Sequence, residues 1–281
     1  MKTWLLLTLC AFAVLLAPAS FSVTYATIDY PGARQTFANS INNAGDIVGM
    51  YELSDLTYHG FILSNGIFTT MDAPTAQSTF PFAVNDLGQT VGYYINSSEH
   101  GFMFSGGVYT DIDFPGAQYT YPAGLNNAAQ VVGYYTDSLG AHGFEFDNGI
   151  WTTVDLPHAT ATYITGINNH GDLFGTYYGA AIYGFLQSGG VLHVLQPPGN
   201  QHIAFTGTLN DYRQGVGYIQ SSSRGALSPF LFQQPNNYTL LRNLSTGQIP
   251  GMFASGINNN QGIVGYYTDS QYLNHGFLAV N

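Results

Sequence analysis

The chain contains few of the residues that stabilise proteins through covalent or ionic bonds. Only 7% of its 281 residues are charged, against about 25% in typical globular domains. The charged residues are mostly acidic, and the formal net charge is −11. Cys10 is the single cysteine, which excludes a disulfide within one chain. Packing and hydrogen bonds must therefore stabilise the fold.

The scarcity of positive charge limits the possible partners. Lys2 is the only lysine, and four arginines follow it. Neutralising a phosphate backbone takes clustered Lys and Arg, so we expect no nucleic-acid partner. No run of about 18 apolar residues follows the N-terminal segment, so we expect no membrane insertion. The low charge does not indicate disorder, because 21 Tyr and 19 Phe supply ample surface to bury.

The N-terminus has the pattern of a secretory signal peptide over residues 1–19. Lys2 precedes an apolar stretch over residues 5–16, and small residues at Ala17 and Ala19 allow cleavage before Ser20. A lipoprotein is not expected, because a large Leu9 precedes Cys10. We therefore expect a secreted protein, periplasmic or extracellular, with one mature domain over residues 20–281.

The chain is rich in repetition. An apolar residue followed by Asn recurs six times, with Asn spacings of 43, 41, 42, 42 and 48 residues. The asparagines are Asn42, Asn85, Asn126, Asn168, Asn210 and Asn258. A glycine follows each of them seven residues later: Gly49, Gly92, Gly133, Gly175, Gly217 and Gly265. A period of about 40–45 residues is typical of four-stranded propeller blades.

Each repeat predicts four strands, which we name A to D. In the second repeat they cover residues 79–85, 90–94, 100–104 and 109–113, with glycine-containing turns between A and B and between C and D. The mature chain begins with a D-type strand at 23–29 and ends with A, B and C strands. Pairing of the two ends would complete the last blade and remove exposed strand edges. The prediction is an all-β fold, a single six-bladed β-propeller closed by its terminal strands.

The repeated units resemble those of a known family. They read Asp-Phe-Pro-Gly-Ala at 113–117, Gly-Leu-Asn-Asn at 124–127, Val-Gly-Tyr-Tyr at 132–135 and His-Gly-Phe at 142–144. Over essentially the whole mature chain the pattern is similar to the bacterial extracellular HAF-repeat proteins, whose His-Ala-Phe element is His-Gly-Phe here. The resemblance implies an exported repeat protein of undetermined activity and assigns no catalytic residues.

Four histidines are predicted to face aspartates across strands C and D. In a two-residue hairpin, the numbers of paired residues have a constant sum, which gives the pairs His59–Asp72, His100–Asp113 and His142–Asp155. Pairing of the chain ends adds His275–Asp29. Such pairs could be metal ligands or acid–base dyads, but strand C lies about 10 Å outside strand A, so pairs of different blades cannot share an ion. We interpret them as structural contacts in which each aspartate raises the pKa of its histidine, and expect no metal, calcium or cofactor.

An aromatic residue stands five positions before each repeated Asn. These candidate ligand-binding residues are Phe37, Phe80, Tyr121, Tyr163, Phe205 and Phe253. On the innermost strand they would surround the central channel and could stack on sugar rings. Packing between blades explains the same pattern and is the favoured interpretation.

Repeats four and five depart most from the pattern. Tyr183 and Ser228 replace the histidine there, and a possible asymmetric site would use residues found only in these repeats: His193, His202, Arg213 and Arg224. Drift of a blade without function accounts for the same differences.

No enzyme motif is present: there is no nucleophile elbow, zinc-binding His pair or phosphate loop. The leading hypothesis is a secreted, monomeric, non-catalytic binding module whose ligand, a neutral glycan or a protein surface, binds the face with the longer loops. One alternative is an extracellular lyase or hydrolase acting on a polysaccharide or lactone at the channel mouth. Another is a structural surface or matrix protein.

If residues 1–19 direct export, expression of the full chain in a bacterial host should yield an exported protein that begins at Ser20. Intact-mass measurement of the exported protein tests this. Ala19→Arg should block cleavage, because the peptidase requires a small residue there. A full-length mass in the cytoplasm for the unaltered chain would contradict the prediction.

Overall fold

The structure is a computed structural model and describes residues 24–195, 202–204, 207–220, 227–233, 237–241 and 251–280. The described residues form twenty-four strands in six antiparallel four-stranded sheets. A strands of neighbouring sheets contact one another from blade 6 through blades 1, 2 and 3 to blade 4, and the ends of all six line one central cavity, so strand A is innermost. The predicted six-bladed β-propeller is confirmed. No described residue belongs to a helix able to cross a membrane, and the segment 1–19 lies outside the described residues.

The strands of each blade follow in the order A, B, C, D. Blade 1 contains β2 (Gln35–Ile41), β3 (Ile47–Glu52), β4 (Tyr58–Ser64) and β5 (Ile67–Met71). Blade 2 contains β6 (Ser78–Val84), β7 (Thr90–Ile95), β8 (Glu99–Ser105) and β9 (Val108–Asp111). Blade 3 contains β10 (Tyr119–Leu125), β11 (Val131–Thr136), β12 (Ala141–Asp147) and β13 (Ile150–Thr153).

The second half of the ring repeats this order. Blade 4 contains β14 (Ala161–Ile167), β15 (Leu173–Tyr178), β16 (Ile182–Ser188) and β17 (Val191–Leu195). Blade 5 contains β18 (His202–Ala204), β19 (Gly215–Gln220), β20 (Leu227–Gln233) and β21 (Asn237–Leu240). Blade 6 contains β22 (Met252–Ile257), β23 (Ile263–Thr268), β24 (Asn274–Val280) and the N-terminal β1 (Thr24–Ile28).

The two ends of the chain close the ring as predicted. Strand β1 pairs antiparallel with β24, from Thr24 opposite Val280 to Ile28 opposite Gly276. The sixth sheet therefore has the order β1, β24, β23, β22. Because its outer strand comes from the N-terminus, unfolding of either end exposes an unpaired strand edge.

The predicted turns between strands C and D are also present. In blade 1 both central residues have positive φ, 49° at Asn65 and 78° at Gly66. Positive φ at both positions is the geometry of the tight hairpin turn whose twist matches the flanking strands. The phenylalanine of each His-Gly-Phe unit follows on strand C and is buried between blades, as at Phe102 and Phe144, both fully inaccessible to solvent.

The repeated asparagines form a closed hydrogen-bonded ring at the end of the A strands. Each side-chain Nδ2 donates to the backbone carbonyl oxygen of the corresponding Asn in the next blade, at 2.9–3.2 Å, and the last bond runs from Asn258 back to Asn42. Each Oδ1 in turn accepts backbone N–H groups of its own A–B turn, as Asn126 does from Ala128 and Gln130. One side chain thus shapes the turn and joins two blades.

The next residue of each repeat forms a second ring. Its backbone N–H donates to the side-chain oxygen of the equivalent residue in the following blade, at 2.8–3.0 Å, through Asn43, Asp86, Asn127, Asn169, Asp211 and Asn259. Burial favours the neutral acid at Asp86, but hydrogen bonds from Asn127 and Asn43 outweigh it and hold the pKa of this carboxyl below its usual range. The A–B turns are therefore joined all the way around the propeller.

Asn126→Ala should lower the free energy of unfolding by about 3 kcal/mol, because it leaves two turn N–H groups without their acceptor and removes the bond to the carbonyl oxygen of the next blade. Chemical denaturation measures the loss. Ser138→Ala, at an exposed turn position of the same blade, should change stability by less than about 0.5 kcal/mol. Equal effects of the two substitutions would contradict the role of the ring.

Candidate functional site

The central channel is narrow at one end and wide at the other. The two asparagine rings line a cavity of only about 70 Å³ where the A strands end. Where these strands begin, on the side of the B–C and D–A loops, the channel contains a cavity of about 540 Å³. Small-molecule sites typically measure about 300–1,000 Å³. The wide-end cavity is therefore the candidate functional site.

Aromatic side chains form a belt around this cavity. Of the six predicted strand-A residues, Phe37, Tyr121, Tyr163 and Phe253 line it, Phe80 lies in the same belt, and Phe205 lies outside the described residues. In blades 2, 3 and 6 a tyrosine follows the repeated Gly on strand B and stacks on the strand-A aromatic of its own blade, as Tyr134 does on Tyr121 with ring centroids 4.7 Å apart. It also makes a T-shaped contact with the strand-A aromatic of the next blade, as Tyr134 does with Tyr163 at a centroid separation of 4.8 Å.

The belt thus combines the two interpretations of the strand-A aromatics. Its rings pack against one another between blades, and the ring faces and edges that are not used in this packing form the cavity wall. Tyr218, Phe253, Tyr266 and Phe37 continue the alternation across blades 5, 6 and 1, with centroid separations of 5.8, 4.8 and 5.0 Å. Because most of these rings contact two others, the wall is preorganised before any ligand arrives.

A β-bulge in strand A places a second layer of residues on the cavity wall. In five blades the A–B register skips one residue, and that residue lines the cavity: Asn39, Phe82, Ala123, Thr165 and Ser255. Bulges commonly redirect side chains next to functional sites. Sequence reasoning missed these residues, although a signal existed, since this position differs in every blade while its neighbours repeat.

The repeated glycine of strand B is required by the same geometry. A Cβ atom on Gly92 would overlap the carbonyl oxygen of Phe80, and the equivalent overlap occurs at Gly49, Gly133, Gly175 and Gly265. Only a residue without a side chain allows strand B to approach the strand-A aromatic so closely. The Gly therefore fixes the position of the belt.

The tyrosine hydroxyls of the belt remain protonated donors over the physiological pH range. Burial raises the pKa of Tyr134 and Tyr266 to about 12, with smaller contributions from neighbouring tyrosines. Burial and the charge of Glu99 raise the pKa of Tyr93 to about 12 as well. The wall therefore offers hydroxyl donors beside apolar ring faces.

One carboxylate meets this wall in the described part of the chain. Glu99, the first residue of β8, accepts a hydrogen bond from the hydroxyl of Tyr121 in the next blade. Burial, followed by this hydrogen bond, raises the pKa of Tyr121. Sequence reasoning did not select Glu99, although the equivalent positions of the other repeats, such as Tyr58 and Ala141, are uncharged.

The structure places each predicted histidine against the aspartate that the hairpin register assigns to it. Nδ1 of His59, His100 and His142 lies 2.8 Å from a carboxylate oxygen of Asp72, Asp113 and Asp155, and Nδ1 of His275 lies 3.0 Å from Asp29. The histidines lie on strand C, the aspartates follow the end of strand D by one or two residues, and none of the eight lines the cavity. Among the described residues, no group of three or more His, Cys, Asp or Glu side chains is arranged to hold a metal ion.

A second aspartate flanks two of these histidines. Nε2 of His142 lies 3.4 Å from Asp137, and Nε2 of His275 lies 3.4 Å from Asp269. Burial lowers the pKa of His275, but the hydrogen bonds and charges of Asp29 and Asp269 outweigh it, and the net pKa is raised. The pKa of His142 is also raised, chiefly by its hydrogen bond to Asp155.

The two residues of the possible asymmetric site whose side chains the structure describes lie apart. Arg213 lies in an A–B turn at the narrow end, where its Nε donates to the buried carboxylate of Asp172 at 2.8 Å. His193 is exposed on β17, the outermost strand of blade 4. The backbone of His202 belongs to β18, but its side chain and all of Arg224 lie outside what the structure describes.

Comparisons with known proteins establish the fold. No family model matches the chain, and no curated protein matches it. Among solved structures it is similar to the Aleuria aurantia lectin in complex with Fucα1-6GlcNAc, at 14% identity and a TM-score of 0.55, over 87% of this chain and 91% of the lectin. It is similar to a putative gluconolactonase at 10% identity and a TM-score of 0.53, over 92% of each chain.

The sialidase of Trypanosoma rangeli is a further similar structure. Its identity to this chain is 7% and the TM-score is 0.53, over 94% of this chain and 60% of the sialidase. Lectins and enzymes thus share the architecture, and at these identities the likeness concerns the fold alone. The chain belongs to the structural class of six-bladed propellers, and its activity has to be argued from its own cavity.

Asp29→Asn should lower the melting temperature by about 2 °C at pH 5.5 and by less at pH 9. A histidine with a raised folded-state pKa adds stability that is complete below its unfolded value of about 6.5 and is lost as pH rises through the folded value. Asp155→Asn, the same change inside a hairpin, is the matched control. Only Asp29→Asn should speed hydrogen exchange in β1, and equal exchange in both variants would contradict a role in ring closure.

Proposed function

We propose that the protein binds a glycan in the wide-end cavity. The observation that carries the proposal is the cavity wall, in which aromatic ring faces alternate with small neutral polar side chains such as Asn39, Thr165 and Ser255. A sugar presents apolar C–H faces and a rim of hydroxyls, which ring faces and neutral polar groups respectively complement. A wall already held in place by packing lowers the entropy cost of binding.

The similar structures support this choice without deciding it. The Aleuria aurantia lectin was solved with a fucosylated disaccharide, and a further similar lectin was solved with α-methyl fucoside. Both show that a propeller of this size can carry carbohydrate. Which sugar this chain would bind has to follow from its own wall.

Binding is favoured over turnover by the charges at the cavity. Hydrolysis of a glycosidic bond usually takes two carboxylates, one as acid and one as base or nucleophile. No described residue that lines the cavity is a carboxylate. Glu99 contacts the wall only by accepting the hydrogen bond of Tyr121. The proposal is therefore a lectin-like module and not an enzyme.

The proposal includes the setting in which the module acts. We expect export through residues 1–19, membership of the HAF-repeat proteins, and a monomer as the working form. Exported glycans are neutral or charged polymers at the cell surface, and a domain without cysteine can fold there without oxidative assembly.

Tyr134→Ala should weaken binding of a ligand found in a broad glycan-array screen by about tenfold, because it removes a stacking face and loosens Tyr121 and Tyr163. Titration calorimetry on that ligand measures the change. Tyr134→Phe keeps the ring and should stay within about threefold. Tyr212→Ala, at a residue 68% exposed at the narrow end, is the control and should bind normally.

Ala123→Trp provides a second variant that leaves the belt intact. Ala123 lies on the cavity wall, so a Trp there should fill the cavity and abolish binding while the protein stays folded by circular dichroism. A blank screen with folded protein, or full affinity in Ala123→Trp, would refute glycan binding in this cavity.

A further inference from the structure

One carboxylate, that of Glu99, is hydrogen-bonded to a residue of the cavity wall, and it lies on one side of that wall. Glu99 is one of only three glutamates in the chain, and the position it occupies is uncharged in the other five repeats. Its carboxylate is held at the boundary of blades 2 and 3 by the hydroxyl of Tyr121. The charge of Glu99 also contributes to the raised pKa of Tyr93 and Tyr134, so its field reaches both neighbouring rings.

Positive charge is scarce near this carboxylate. The two arginines that the structure describes each pair with a buried carboxylate: Arg34 Nη1 lies 2.8 Å from Glu52, and Arg213 Nε lies 2.8 Å from Asp172. The other two arginines lie outside the described residues, and the only lysine is Lys2. Within the described wall, no cationic side chain neutralises Glu99.

Aromatic rings beside a carboxylate form a favourable environment for a cation. A ring face attracts an ammonium group by about 0.5–2 kcal/mol, more where water is excluded. A tyrosine that donates its hydroxyl proton to a carboxylate has a more electron-rich ring, which strengthens this attraction. Tyr121 is in that state, and Tyr93 and Tyr134 pack against it with centroids 5.2 and 4.7 Å away.

We propose that the glycan recognised by this cavity carries a protonated amine, and that the amino group binds at the Glu99–Tyr121 side while the remaining sugar surface stacks on the belt. The ligand class is thus an amino sugar with a free ammonium group, in preference to its N-acetylated, neutral or carboxylated counterparts. This inference rests on the proposed glycan binding and specifies its ligand. The ammonium supplies three N–H donors, and Glu99 has lone pairs beyond the one that Tyr121 uses.

The negative field of the whole chain acts in the same direction. A formal net charge of −11 raises the local concentration of cations and lowers that of anionic sugars such as uronates. This field lacks specificity, because any acidic surface produces it. The specific part of the recognition is the contact with Glu99, which a charge-matched control can separate from the general field.

The test compares oligomers of β-linked glucosamine with the same oligomers after N-acetylation, and with galacturonate oligomers, by titration calorimetry at a pH that keeps the amine protonated. The unaltered protein should prefer the free amine by about tenfold, and galacturonate should not bind. Glu99→Gln should abolish this preference. Glu145→Gln removes the same charge on β12. Unlike Glu99, Glu145 accepts no side-chain hydrogen bond from Tyr121, so this variant should retain the preference.

Tyr121→Phe separates the hydrogen bond from the carboxylate. It keeps the ring and the charge of Glu99, so the preference for the amine should fall without disappearing. Equal or tighter binding of the N-acetylated oligomer by the unaltered protein, or an undiminished preference in Glu99→Gln, would overturn the inference while leaving glycan binding intact. If no oligosaccharide of any charge binds to the folded protein, glycan binding itself fails, and the inference fails with it.

Discussion

The architecture depends on the ring of asparagine hydrogen bonds at the narrow end of the channel. Each of these side chains is buried, shapes the turn of its own blade and donates to the backbone of the next blade. Because the donor of every blade finds its acceptor in the following one, the ring is satisfied only when all six blades are present. The hydrogen-bonded ring therefore requires both that six blades are present and that the last blade contacts the first.

The cavity at the wide end follows from this constraint. The rings hold the A strands together where they end, and the bulges that follow the strand-A aromatics set the spacing where they begin. Gly92 and its equivalents let strand B approach strand A, and in blades 2, 3 and 6 the tyrosine after the Gly stacks on the strand-A aromatic. The rigid scaffold thus presents a wall in which the aromatic belt recurs around the ring, whereas the bulged residues differ from blade to blade. This difference allows a symmetric ring to recognise an asymmetric ligand.

Sequence reasoning predicted the parts that depend on pairing within a blade. The period, the four strands, the hairpin turns and the closure by β1 follow from local alternation and turn chemistry, and so does the contact of His59 with Asp72. The repeat singles out the asparagines, but a local pattern does not predict their hydrogen bonds between blades. The bulge at Thr165 shifts the pairing register of strands A and B by one residue. The alternation of buried and exposed side chains along a strand does not predict such a shift.

The sequence by itself determined that this chain forms a closed ring of six blades, because its repeat and its split last blade admit one efficient way to bury strand edges. Only the tertiary structure decided where the candidate site lies. In the structure Arg213 lies at the narrow end and pairs with Asp172. Glu99 of blade 2 accepts a hydrogen bond from Tyr121 of blade 3. Contacts between blades depend on the curvature of the ring, which no single repeat encodes.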